Sequence, residues 1–426
     1  MRNSEEIDQD AVLRARVLLL GSGRLDLAEE VGAYRVLARV SPKAYLPKLV
    51  DAVLLWSYRT RDRAAELALI SEAVEAARRI DADVTGGTER LGRALAARER
   101  ALFASGRRAE GRAVCEELAA IGRYGRLANV LSEEGRHAEA AGLYDRHVPA
   151  VRSDASAGSG ASDGAHVSPV SDWTVIEWAA ALDAAGRQER ALEVFGGLVA
   201  DRRRTAWENN SPLASLVWAL EQYARMAAAA GRDGEAAAAR RETLDLLTRL
   251  AREGEPVSWS NIQASWVTLF VLSGRQDEPP GRPDAPVPPF GTYRGHGWSA
   301  DAREAFDAAV PALEERAAAL RASGDLAGLV TVHRRLTVRA AQRWQTSGRR
   351  DPETLLPAYD EGVALARRLT GDGGSAAARA LTDRAMFLLA VRQYAKARED
   401  FAEAAALLDG PTRHGPPREP GKSVPS

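Results

Sequence analysis

Disulfide chemistry is the first thing this chain lacks. Its 426 residues include a single cysteine, Cys115, so an intrachain disulfide framework and a cysteine-built zinc site are excluded. A reducing, cytoplasmic setting is expected. Lysine is nearly missing too: Lys43, Lys48, Lys396 and Lys422 are the only ones among 58 basic residues. Arginine therefore carries the positive charge along the whole chain, a bias that fits a high-GC genome and marks no particular site. Excess charge of either sign is absent, since 58 basic and 59 acidic residues nearly cancel. No overall field draws the chain to nucleic acid or to an anionic membrane. Long apolar runs are also absent. Val267 to Leu272 falls far below the roughly 20 residues of a membrane span, and Val17 to Leu20, after an acidic start, is too short for a signal-peptide core.

Aromatic residues make up 6% of the chain against 45% hydrophobic residues in all, so alanine and leucine must supply most of the buried surface. Such a length could hold two or three ordinary domains, or one stack in which each unit touches only its neighbours. Gly-Arg-x-x-x-Ala recurs at Gly135, Gly186 and Gly231, each time between two Ala/Leu-rich helical runs. With that glycine as a ruler, landmarks fall at Gly23, Arg61, Gly106, Gly135, Gly186, Gly231, Gly274, Gly324, Gly348 and Arg392, with arginine substituted at 61 and 392. Several spacings lie between 43 and 45 residues, a helix-pair length. A glycine at each landmark can take the left-handed conformation that closes a helix end. A helix pair cannot cover its own apolar face, so neighbouring pairs must bury it by stacking.

Three pairs carry a distinctive order of small and large residues: Leu381, Ala385, Leu388, Tyr394, Ala397, Phe401 and Ala404; then Trp178, Ala179, Leu182, Gly186, Ala191 and Phe195; then Leu127, Ala128, Leu131, Gly135, Ala140 and Tyr144, where His147 replaces a small residue. In this they resemble the tetratricopeptide repeat. Around Gly106 the equivalents are Arg98, Glu99, Leu102, Gly111 and Cys115, and after Gly231 an arginine, Arg240, replaces the aromatic. The repeats are thus degenerate and longer than the family standard, similar to kinesin-light-chain-type arrays and to repeat regions of actinobacterial regulatory proteins. The resemblance covers about two thirds of the chain. It implies an all-α fold, an α-α superhelical solenoid of helix pairs.

Two segments interrupt the repeats. Ser153 to Ser171 is rich in Ser, Gly, Ala and Asp without periodicity and reads as a flexible loop. Glu278 to Trp298 sets six prolines beside Phe290, Tyr293, His296 and Trp298; proline cannot sustain a helix, and the aromatics suggest a loop folding back onto the repeats. The expected organisation is N-terminal repeats over 1–152, the Ser/Gly loop 153–171, Trp-rich repeats over 172–277, the Pro/aromatic insertion 278–298, C-terminal repeats over 299–409, and a disordered tail 410–426.

No motif carries chemistry. Gly160 to Gly164 spells G-x-S-x-G within the Ser/Gly tract, without the strand-to-helix turn a nucleophile elbow needs. Asp81, Asp83 and Thr85 have the D-x-D-x-T form but follow a helical run, not a buried strand. In the tail, Gly415 to Ser423 has the wrong spacing for a phosphate loop, and its prolines lack the amides such a loop uses. The six histidines show no ligand spacing. Cys115 reads as a packed thiol. No metal or cofactor is expected.

Trp178, Trp207, Trp218, Trp259, Trp266 and Phe270 crowd the middle third. At helical spacing they read first as core, and second as part of a pocket. The resemblance implies that first helices line a concave groove. On the glycine ruler Asn129 and Arg225 share one groove position, and Trp173, Trp218 and Asn261 share another, with Glu221 beside them. Asn129 matches an asparagine that some relatives use on a peptide carboxylate, but the basic residue expected four positions earlier is Gly125 here. Arg225 beside Trp218 offers a cation and an apolar wall to an extended peptide. The expected function is a non-enzymatic scaffold or adaptor binding a protein or peptide partner. The alternatives are a ligand-responsive regulatory solenoid acting through another protein, and an all-helical enzyme of unrecognised type.

Overall fold

The computed structural model describes residues 8–21, 25–81, 83–157, 171–208, 211–257, 263–347, 351–369 and 374–410, with side chains undescribed over 149–157. Among them every regular element is helical and there is no strand. In chain order the helices are α1 (Gln9–Leu20), α2 (Leu27–Val40), α3 (Pro42–Ser57), α4 (Arg63–Arg78), α5 (Gly87–Ala104), α6 (Arg108–Ala120), α7 (Gly125–Glu133), α8 (His137–Ala157), α9 (Asp172–Ala184), α10 (Gln188–Trp207), α11 (Leu213–Ala229), α12 (Asp233–Glu253) and α13 (Gln263–Ser273). They continue as α14 (Arg294–Gly297), α15 (Ala300–Ala308), α16 (Val310–Ser323), α17 (Leu326–Thr346), α18 (Leu356–Arg367), α19 (Ser375–Ala390) and α20 (Tyr394–Asp409). None is long and apolar enough to cross a membrane.

The chain divides into two compact units, Met1–Val170 with Pro280–Phe306, and Ser171–Pro279 with Asp307–Ser426. In the first, each helix from α1 to α8 packs on the next. Its core is aliphatic and alanine-rich, with Val50, Ile70, Ala73, Val74, Ala94 and Leu95 among the buried side chains. The expected Ser/Gly loop starts later than its boundary of 153, because α8 runs on to Ala157. Residues 158–170, with the G-x-S-x-G string, and the tail from 411 lie outside the described residues.

Gly-Arg turns join the helices as the ruler anticipates. Gly106, Gly122, Gly135, Gly186 and Gly231 all have φ between 69° and 86°. At Gly135 the glycine amide bonds to Ser132 O at 3.1 Å and the Arg136 amide reaches back to Leu131 O at 2.8 Å, which satisfies two helix-end carbonyls. The same arginine then forks onto the carboxylate three residues on: Arg107 to Glu110, Arg136 to Glu139, Arg232 to Glu235. Gly122 is a turn the ruler missed. Gly274 departs from it, with φ −86°, because α13 runs into a short 3-10 turn and not into a second helix. Arg392 is left-handed at φ 63° without being glycine, so the substituted landmark keeps the geometry at a steric cost.

The second unit packs in chain order from α9 to α12 and from α16 to α20, but the next neighbour of α12 is the last helix, α20, and α19 lies against α11. Helix α13 packs on α11, α17 and α19. The cause is specific. Trp218 of α11 donates its indole N–H to Met386 O of α19 at 3.3 Å, and Arg240 of α12 is ion-paired with Asp409 of α20.

Gly186→Ala and Gly135→Ala separate backbone strain from packing. Nothing lies within 4 Å of a Cβ at Gly186, whereas one at Gly135 meets Gly281 O at 2.4 Å. Urea denaturation is expected to show a loss of roughly 1–2 kcal/mol for Gly186→Ala and a larger one for Gly135→Ala.

Candidate functional site

In the first unit the polar face of α7 is the most developed site. Arg126, Asn129 and Glu133 recur at three and four residues, which puts them on one face of a helix whose Ala128, Val130 and Leu131 enter the core. Running over that face is the strap formed by residues 280–299. Gly281 crosses Glu133 so closely that a Cβ there would lie 2.2 Å from Glu133 O. Val287 donates its amide to that same carbonyl at 3.1 Å. Farther along, Thr292 Oγ1 donates to Asn129 Oδ1 at 3.1 Å. Arg126 donates to Gly297 O and to Glu99 of α5. Glu133 Oε1 accepts the Ser299 amide at 2.7 Å.

Three of these contacts go to strap main chain, one of them to Gly297, the last residue of the single turn α14. Gly297 is required where it passes, since a Cβ would sit 1.7 Å from Thr292 Cγ2 and 2.9 Å from Asn129 Nδ2. Trp298 anchors the strap: it is 4% exposed, packs edge-on against Phe306 at 5.3 Å, and donates its indole N–H to Thr292 O at 2.9 Å. Arg108 of α6 closes the end, reaching Glu133 at 2.8 Å, Glu134 at 3.0 Å and Asp301 at 3.0 Å. Burial pushes the Glu133 carboxyl above its ordinary range, against Arg108 and Arg126, which favour its charge. Cys115 is fully buried nearby in α6, and burial raises its thiol far from reactivity.

The second unit holds a chain of alternating charges. Glu221 accepts from Arg225, and Arg225 donates to Asp383 at 2.8 Å. Arg334 meets Asp383 at 2.7 Å and Asp277 at 2.9 Å, and Arg379 meets Asp277 at 2.7 Å. Glu221 and Asp383 are buried. Burial raises the Glu221 carboxyl, only partly opposed by Arg225. Burial alone would raise Asp383 as well, but Arg334 and Arg225 hold it down at about 2. Beside this chain, α17, α18 and α19 enclose a cavity of about 370 Å³ whose wall includes His333, Arg334, Tyr359, Arg379 and Asp383. The Tyr359 ring stacks on Phe387 at 4.8 Å, and its buried hydroxyl has no hydrogen-bond partner among the described residues.

The residues singled out from the sequence therefore fall in two places. Asn129 is buried under the strap. Trp218, Glu221 and Arg225 do share α11, but Trp218 is 2% exposed and the two charged residues pair within the helix and with Asp383. Trp173 is half-buried in α9. Asn261 lies outside the described residues. Sequence reading missed Arg126, the basic residue three positions before Asn129, and also Glu133. The signal that could have found them is a polar i, i+3, i+7 row on an otherwise apolar helix.

Asp383→Asn is expected to cost about 3–5 kcal/mol near pH 7, because two buried guanidinium groups lose their shared anion. Asp383 has a folded pKa below the ~3.9 of an unfolded aspartate. Its contribution is full above that value and lost as pH falls toward 2. Glu221, raised, works in the opposite sense, as acid relieves the cost of its charge. Urea titrations at pH 7 and pH 3 should therefore show a smaller gap between wild type and variant at pH 3. Compared with known proteins, the chain matches no family model and no curated protein.

Proposed function

We propose that the chain is a non-enzymatic binding protein, built of tetratricopeptide-like helix pairs stacked as a superhelical solenoid, that holds a protein or peptide partner. One observation carries this reading: the α7 face already binds the strap through its main chain, using Arg126, Glu133 and the Glu133 carbonyl. A surface that grips backbone atoms has the properties of a peptide groove. The strap is then the groove's own occupant, and a partner competes with it. The near-zero net charge favours a protein partner over nucleic acid or a membrane surface.

Gly297→Val is expected to loosen the strap and to increase what the immobilised full-length chain captures from an extract of its host. A synthetic peptide covering residues 285–301 should elute that material. Capture that the peptide leaves unchanged, or that falls in the variant while its helical circular dichroism is retained, would overturn the reading.

A further inference from the structure

The cavity of the second unit is separate from the strap groove in both place and chemistry. Its walls mix short apolar side chains, among them Val330 of α17, Ala358 of α18 and Ala380 of α19, with polar ones. Into this setting project several donors and one acid. The acid, Asp383, is already engaged on both oxygens, by Arg225 and Arg334 on Oδ1 and by Arg334 on Oδ2. Arg379 uses Nη1 and Nη2 on Asp277 and on Ser273 O, and its Nε has no partner among the described residues. The Tyr359 hydroxyl, 3% exposed by residue and held by its ring between Phe270 and Phe387, is likewise unpartnered. The threonine hydroxyls of the wall donate to carbonyls of their own helix, Thr331 to Ala327 and Thr337 to His333. The cavity thus presents apolar side chains, the unpartnered Tyr359 hydroxyl, the partly exposed Arg379 and a carboxylate already paired with two arginines.

We propose that this cavity binds a small amphipathic carboxylate, its head on Arg379 and the Tyr359 hydroxyl and its apolar body along Val330, Ala358 and Ala380. The buried Tyr359 hydroxyl, without a partner among the described residues, calls for an acceptor, and the Arg379 guanidinium, with a side chain 37% exposed, suits an acceptor that carries charge. At about 370 Å³ the space matches a small molecule and falls at the low end of ligand pockets. Gly362 keeps the floor open opposite His333, whose ring atoms lie 3.4 Å from where a Cβ would stand. Burial keeps the His333 ring neutral despite Glu361 at 3.5 Å, so the anion's charge is met by arginine.

Calorimetric titration of the full-length protein with octanoate and with octanamide tests this. Octanoate should bind about tenfold more tightly than the amide. Tyr359→Phe should weaken octanoate several-fold while leaving the fold intact, and Arg379→Ala should erase the preference for the acid. Ala380→Leu, which fills the cavity without touching a charge, should abolish binding of both probes and guards against an Arg379 variant that merely unfolds. Equal binding of acid and amide, or no binding of octanoate at millimolar concentration, would each overturn the assignment. The strap groove lies in the other unit, so none of these results alters peptide-eluted capture, and the two ideas fail separately.

Discussion

A carboxylate moved out of water costs several kcal/mol unless donors surround it, and each unit of this protein is organised around one such group. In the first unit it is Glu133, fully buried, with Arg108 on one oxygen and the Ser299 amide on the other. In the second it is Asp383, gripped by Arg225 and Arg334. Arginine suits both places because its planar fork bonds two elements at once and stays charged when buried. The scarcity of lysine thus has a local counterpart, since a single ammonium point charge could not make Arg108's simultaneous contacts with the end of α7 and with Asp301 of α15. Removing any member leaves a buried charge behind, so these pairs hold the packing of particular elements in register.

That constraint explains why the strap lies where it does. Helix α7 ends in a Gly-Arg turn like several others, yet among the described turns only here is the glycine pressed by another glycine, Gly281. The Glu133 side chain and carbonyl both reach the strap, so one residue joins the helix end, the ion cluster and the strap. The face that results contacts the strap chiefly through main-chain atoms, which is what the proposed peptide groove requires. In the second unit the same device serves packing: the Arg225–Asp383 pair ties α11 to α19, and a cavity with unused donors is left beside it.

Much of the architecture was legible in local sequence. The glycine ruler located left-handed turns at Gly106, Gly135, Gly186, Gly231 and Gly324, and even Arg392 keeps the positive φ. The small and large residues of the three best pairs are buried where their order implies, among them Ala128, Ala191, Phe195, Leu381 and Phe401. The Pro/aromatic insertion folds back as its composition suggested. What escaped is long-range. Arg225 and Asp383 are 158 residues apart and Asn129 and Thr292 are 163 apart, and periodicity within a helix carries no information about which distant acid an arginine will meet. For the same reason the packing of α20 on α12 could not be read from repeat spacing. Nor could the α17–α18–α19 cavity, whose lining residues are individually ordinary.

The account turns on the α7 face being a peptide groove occupied by its own strap. Fluorescence anisotropy of a labelled peptide spanning residues 280–301, added to full-length wild type and to the Gly297→Val protein, addresses that most directly. Saturable binding to the variant, with little to the wild type because its groove is filled, is the predicted result. A peptide that binds neither protein, or both equally, while the variant remains folded, would contradict it.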